Sequence, residues 1–225
     1  MPDFAIERRC EGIVCGVDEA GRGPLAGPVV AAAVVIDRQR FRGELRRVLD
    51  DSKALSRDAR EACFAALPRC ARIGVGAASV GEIDRINILR ASLQAMRRAV
   101  EALGITPDIA LVDGNMPPPL SCKIKTVIKG DALSFSIAAA SVIAKVTRDR
   151  IMHVLAGRYP GYGWETNVGY STAEHGHAIR ALGVTPHHRR SFAPVRMAVS
   201  APDDLLALLE SGGIGVPTVE IHAQN

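Results

Sequence analysis

Two apolar runs, residues 12–17 and 29–36, are separated by a glycine-rich bend, GRGPLAGP. Runs of this length, rich in valine and alanine and bounded by turn residues, predict two buried neighbouring strands. After a basic stretch, Ser56 precedes a predicted helix over 57–67, with Asp58 favourable in its first turn and Pro68 ending it. Residues 72–80 predict a third strand. Between 81 and 103, apolar residues at Ile83, Ile86, Leu89, Leu93, Met96, Val100 and Leu103 recur at three- and four-residue steps. That spacing predicts one amphipathic helix, stopped by Gly104.

Short buried strands are predicted over 109–112, ending at Asp113-Gly114-Asn115, and over 123–128, ending at Gly130-Asp131. An alanine-rich segment, 134–155, predicts a long helix lying against the sheet. After the loop YPGYGWETNVGY, Ser171 and Glu174 have capping-box spacing and open a helix that closes at Gly183. Beyond Met197 the pattern weakens to a short helix over 203–209 and a glycine-rich end. With no repeat and no long polar linker, the expectation is one domain over 1–200 and, over 201–225, a short helix with a flexible tail. The element order predicts the α/β class, with a central mixed sheet flanked by helices.

Composition narrows the picture. Of 225 residues, 48% are hydrophobic and 23% charged, which excludes wholesale disorder. The longest apolar stretch, 24–36, falls short of the roughly 18 residues that span a bilayer, so no membrane partner is expected. Asp3, Glu7, Arg8 and Arg9 interrupt the place of a secretion signal. Five cysteines without a C-x-x-C pair support neither a zinc knuckle nor a disulfide framework, and a cytoplasmic monomer is expected.

The chemistry-bearing positions are acidic. Asp18 and Glu19 end the first strand and run into Gly21-Arg22-Gly23, whose glycines permit close backbone approach to a ligand. Neighbouring strand residues face opposite ways, so both carboxylates serve one site only if the chain bends there or a backbone carbonyl helps. Asp113 and Asp131 each have an ordinary reading, as a turn residue and as part of a helix cap. Together, however, separate strand ends deliver four carboxylates to where open sheets place their ligands. Such a cluster repels itself unless cations neutralise it, and oxygen donors favour Mg2+ or Mn2+. Two ions about 4 Å apart would suit phosphodiester cleavage. Setting the four acids aside raises the balance of the remaining charge from +4 to +8. Basic clusters at Arg46 and Arg47, at Lys123, Lys125 and Lys129, at Lys145, Arg148 and Arg150, and at Arg189 and Arg190 could then line a phosphate backbone.

At this point the chain resembles a known family. GVDEAGRGPLAGPVVAAAVVI, DSKALS, LVDGN, IKGDALSFSIAAASVIAKVTRDR, GYSTAEH and HHRRSFAPV, in this order over residues 12–196, closely resemble bacterial ribonuclease HII. The resemblance implies a ribonuclease H-like fold with a small C-terminal helical appendage and an endonuclease dependent on Mn2+ or Mg2+. It further implies cleavage of the RNA strand of RNA/DNA hybrids and nicking of DNA on the 5′ side of an embedded ribonucleotide, leaving a 3′-hydroxyl and a 5′-phosphate during ribonucleotide removal. Carried over by position, the catalytic metal-binding acids are Asp18, Glu19, Asp113 and Asp131. Gly21, Arg22 and Gly23 would contact the ribose 2′-hydroxyl and a phosphate, and Tyr170 would pack on the next sugar. The sequence departs from the family pattern at Val168 and Ala54, where basic residues are common.

Lys53 is expected to approach substrate. The i, i+2 pair His175 and His177 does not share a helix face, so these residues, with His187 and His188, are expected to be solvated or phosphate-facing rather than zinc ligands. Trp164 and Tyr162 offer stacking surfaces, with a packing anchor the commoner role of a lone tryptophan. Leu205, Leu206, Leu208 and Leu209 are expected to pack on the main domain. Two other readings stand: a non-catalytic nucleic-acid-binding module, or another nuclease of the same fold. The ribonuclease HIII type among the latter would normally carry an extra N-terminal domain.

Overall fold

A computed structural model describes residues 1–200 of the chain; the predicted 203–209 helix and the four leucines lie outside them. The chain divides into two compact units, the first Met1–Arg22 with Gly27–Ile151, the second Gly23–Ala26 with the chain from Met152 onward. Among the described helices none is long and apolar enough to cross a membrane.

The first unit holds a five-stranded mixed sheet of order β3-β2-β1-β4-β5. Its strands are β1 (Val14–Ala20), β2 (Val29–Ile36), β3 (Ala71–Ala78), β4 (Ile109–Asp113) and β5 (Lys123–Val127). β1 pairs antiparallel with β2 and parallel with β4. Helices α1 (Gly43–Val48), α2 (Arg57–Ala66), α3 (Val80–Ile86), α4 (Ile88–Glu101) and most of α5 (Phe135–Arg158) complete it. Register assigns the two faces. Val17, Ala33 and Gly74 lie level across β1, β2 and β3, and so do Glu19, Ala31 and Gly76. A Cβ on Gly74 would stand 2.1 Å from the Ala99 carbonyl oxygen, and one on Gly76 2.3 Å from that of Ala95, so α4 covers this face. The intervening residues point the other way. There Gly16 lets α5 approach so closely that a Cβ would meet the Ser136 carbonyl carbon at 2.1 Å.

The α5 face carries the main core. Ala32, Val34 and Ile36 pack with Phe135, Ala139 and Ile143. Phe4, Phe41 and Phe135 meet with ring centroids 4.9–5.6 Å apart; each ring withdrawn from water contributes roughly 1.5–3 kcal/mol. The start of α5 is pinned by buried Glu7, whose Oε1 accepts from the Ser134 hydroxyl at 2.7 Å and the Ser136 amide at 3.0 Å.

The single helix predicted over 81–103 is two. Asn87 at φ 67° breaks it, and its side chain accepts from the Arg90 amide to cap α4, while Ser79 and Glu82 form a capping box for α3. The second unit contains α6 (Trp164–Asn167), α7 (Ala173–Leu182) and α8 (Ala193–Ser200). Its expected cap is displaced by one residue: Thr172, not Ser171, accepts from the His175 amide and opens α7.

Candidate metal centre

The face assignment decides which acids meet. Val17 and Val112 are partners across the parallel pair β1 and β4, so Asp18 and Asp113 follow at the same level and point to the α5 side. Asp131 sits in the 3-10 turn Gly130–Ala132 immediately before α5. One carboxylate oxygen from each of Asp18, Asp113 and Asp131 lies within 4.8 Å of the others. Glu19 is outside this trio. One residue along β1, it takes the α4 face, where its Oε1 meets the Arg22 guanidinium at 3.4 Å.

Backbone amides orient the three aspartates. The Oδ1 atoms of Asp18, Asp113 and Asp131 accept from the amides of Glu19 at 2.7 Å, Gly130 at 2.7 Å and Ala132 at 3.0 Å. Lys129 reaches this turn in the left-handed region at φ 56°, a conformation a β-carbon disfavours unless surroundings enforce it. The electrostatics are those of a crowded acidic site. Burial, then the charges of Glu19 and Asp113, push the Asp18 carboxyl well above the ordinary aspartate range, against a bond from Ser141. Burial also raises Glu19; Arg22 opposes it and Asp113 reinforces it. Lys53 supplies the nearby positive charge, with Nζ 3.3 Å from Asp131 and 3.8 Å from Asp51. Burial disfavours its ammonium, but the charges of Asp51, Asp131 and Asp18 prevail and raise it. An all-carboxylate donor set with incompletely neutralised charge fits a hard divalent cation and fits zinc poorly.

A family described as Ribonuclease HII matches residues 15–195. The chain is 60% identical to the ribonuclease HII of Paramagnetospirillum magneticum over 195 residues, covering 87% of this chain and 97% of that protein. The chain belongs to the ribonuclease HII family. Its fold matches the ribonuclease H2 of Pyrococcus horikoshii OT3, with TM-score 0.69, 29% identity, and 88% and 98% of the two chains covered. A Bst ribonuclease HIII solved in complex with Mn2+ shares the fold at TM-score 0.67 and 20% identity, with 84% and 69% covered. Family membership makes the chain a metal-dependent endonuclease of the ribonuclease H type and sets aside the non-catalytic module.

The remaining predicted residues of this ribonuclease HII family member divide between the units. In the first, Gly21 has φ 97°, and a Cβ there would strike the Arg148 side chain at 2.1 Å. Arg22 is about half exposed. In the second, Gly23 faces Tyr170: a Cβ on the glycine would lie 3.9 Å from the ring, and the ring is exposed.

Several expectations fail. Arg148 and Arg189 are fully buried and cannot line a phosphate backbone; the Arg148 Nε donates to the Pro28 carbonyl at 3.1 Å. His175 and His188 are buried rather than solvated. Trp164, by contrast, is the packing anchor that a lone tryptophan more commonly is, fully buried and stacked on Tyr162. The sequence reading also passed over Ser141, which bonds Asp18 and lies 2.8 Å from the Ser52 hydroxyl. A buried serine in an alanine-rich helix leaves no periodic signal.

Proposed function

We propose that the chain hydrolyses the RNA strand of RNA/DNA hybrids and nicks DNA on the 5′ side of an embedded ribonucleotide, leaving a 3′-hydroxyl and a 5′-phosphate. The observation that carries this reading is the convergence of Asp18, Asp113 and Asp131 from three separate stretches of chain to within 4.8 Å. These three carboxylates would hold Mg2+ or Mn2+, with the charge of Glu19 acting on Asp18 from the next position of β1. A pair of such ions supplies an activated water and neutralises charge building on the phosphate and its leaving oxygen.

The chain's own groups do the rest. Each aspartate has one oxygen committed to a backbone amide, which fixes the carboxylate planes before anything binds. Lys53, exposed and 3.3 Å from Asp131, is set to meet the substrate phosphate. Gly21, Arg22 and Gly23 offer backbone groups to the ribose 2′-hydroxyl, the one group that separates a ribonucleotide from its DNA neighbours. The Tyr170 ring packs on the sugar that follows. The reading includes a monomer acting in the cytoplasm during ribonucleotide removal; five free cysteines fit the reducing compartment.

A DNA duplex with one ribonucleotide tests the reading. Wild type is expected to nick it with Mg2+ or Mn2+, and Asp18→Asn and Asp113→Asn each to lose that activity while keeping the wild-type circular dichroism. Nicking that survives both substitutions overturns the assignment.

A further inference from the structure

The second unit buries two imidazoles that the cleavage chemistry does not use. His175 and His188 are 0% and 1% exposed, and their Nε2 atoms lie 3.1 Å apart. Tyr162 and Trp164 pack against both rings, and Tyr159 reaches Trp164 and His187. The bonds around the pair fix where its protons sit. The Thr185 amide can only donate, and it points at His188 Nδ1 at 2.9 Å. That nitrogen is therefore an acceptor, and in a neutral ring the proton is on Nε2. His188 Nε2–H then donates to His175 Nε2, which also accepts from the Trp164 indole N–H at 3.0 Å. With Nε2 accepting twice, His175 carries its proton on Nδ1 and donates it to the Tyr170 carbonyl, 2.9 Å away. The indole N–H aimed into the pair also rules out a metal ion between the rings.

The far end of this chain is a turn that needs holding. Val168, two residues before Tyr170, sits in the left-handed region at φ 43°, where a β-branched side chain is strained. Such a conformation persists only where surrounding bonds over-determine it. Here Asn167 Oδ1 accepts from the Gly169 amide at 2.8 Å, the Asn167 amide group donates to the Tyr162 carbonyl at 2.9 Å, and the Tyr170 amide donates to the Asn167 carbonyl at 2.9 Å. The segment carrying Gly23 is tied to the same framework. Leu25 bonds Gly169 through its amide and Arg189 through its carbonyl, both at 2.8 Å, and Ala26 bridges to His188.

We propose that His175 and His188 are positioning residues for Tyr170: a one-way hydrogen-bond chain from the Thr185 amide through both neutral imidazoles to the Tyr170 carbonyl fixes the turn that presents the ring to Gly23. The pair thereby controls how the sugar after the ribonucleotide is read, and this rests on the role given to Tyr170 above. Burial, with smaller contributions from His175 and His187, lowers His188 to about 3, and burial lowers His175 against a bond to Tyr170. Both rings stay neutral, as the chain requires. A second proton on His175 would leave two N–H groups and the indole N–H converging with no acceptor.

The test is a double-mutant cycle on the single-ribonucleotide duplex. His175→Gln keeps an acceptor for Trp164 and His188 but removes the donor to Tyr170, and it is expected to lower kcat/KM about tenfold. In a Tyr170→Ala background the same change is expected to cost nothing further. Additive losses, or an unchanged kcat/KM in the single variant, overturn the positioning role. A Tyr170→Ala variant as active as wild type sinks the role of Tyr170 and this proposal with it. Nitrogen-15 spectra of the wild-type imidazoles judge the chain without any variant: His188 protonated at Nε2 and His175 at Nδ1, both neutral from pH 8 to pH 5. Reversed tautomers or an imidazolium in that range overturn it, even should the wild-type chain fail to cut.

Discussion

The acidic trio of the first unit and the imidazole pair of the second are both ionisable clusters, the pair buried and the trio with Asp113 partly open to water, and they are built to opposite ends. The imidazoles are complete in their neutral form, with every ring nitrogen matched to a partner. The aspartates each have one oxygen bonded to an amide and the charge of the cluster left largely unbalanced. The comparison teaches that burial alone does not mark a reactive centre. The matched imidazoles hold structure, whereas the carboxylates carry mutual repulsion that a cation would relieve. The two also respond to pH with opposite sign. Asp18 is raised in the fold, so its contribution to stability is full below the ordinary aspartate range and is lost as pH rises. His188 is lowered, so its contribution is full above the usual 6.5 and is lost as pH falls toward about 3.

The sharpest way to break the comparison is Asp18→Asn, which is expected to cost about a thousandfold in cleavage rate while the metal-free protein melts at the same or a higher temperature. A large fall in melting temperature would mean that the cluster is structural after all. Next in size, saturating Mn2+ is expected to stabilise the wild-type chain by about 3 kcal/mol at a hundredfold excess over its Kd, and to do far less in Asp113→Asn. Calorimetric melts with and without the ion read this. Acidification from pH 7 to pH 5 is expected to ease opening of the second unit by up to about 2 kcal/mol through His188, which is lowered to about 3, read by hydrogen exchange at the amides around Thr185. The smallest effect serves as an ordinary control. Glu82, held down to about 2 by Arg98, the Ser79 amide and hydroxyl, loses its contribution only as pH falls from the usual 4.5 toward that value. Glu82→Gln, at a partly exposed pair, is expected to cost under about 1 kcal/mol in chemical denaturation.

Much of this was legible in the chain because strands of a covered sheet are apolar runs, and 29–36 coincides with β2 to the residue. The four acids were visible as charges at the ends of such runs. What the sequence could not give is facing. That Asp18 joins Asp113 while Glu19 turns to Arg22 follows from the β1–β4 register, which no local pattern encodes. The break at Asn87 was hidden because apolar spacing continues through it from Ile86 to Leu89, and only the asparagine, which can both take positive φ and cap the next helix, signals it. The burial of His175 and His188 was missed because their partner groups lie on distant loops and include a backbone amide and a carbonyl that carry no letter in the sequence.

The alternation along β1 has a consequence for what this strand can tolerate. Because Asp18 and Glu19 sit on opposite sides of one ribbon, inserting or deleting a single residue between Val14 and Val17 would exchange them, turning a glutamate toward α5 and sending the aspartate behind the sheet. Length in this strand thus matters to the trio as much as residue identity, and a frame shift of one position would break the cluster without altering any acid.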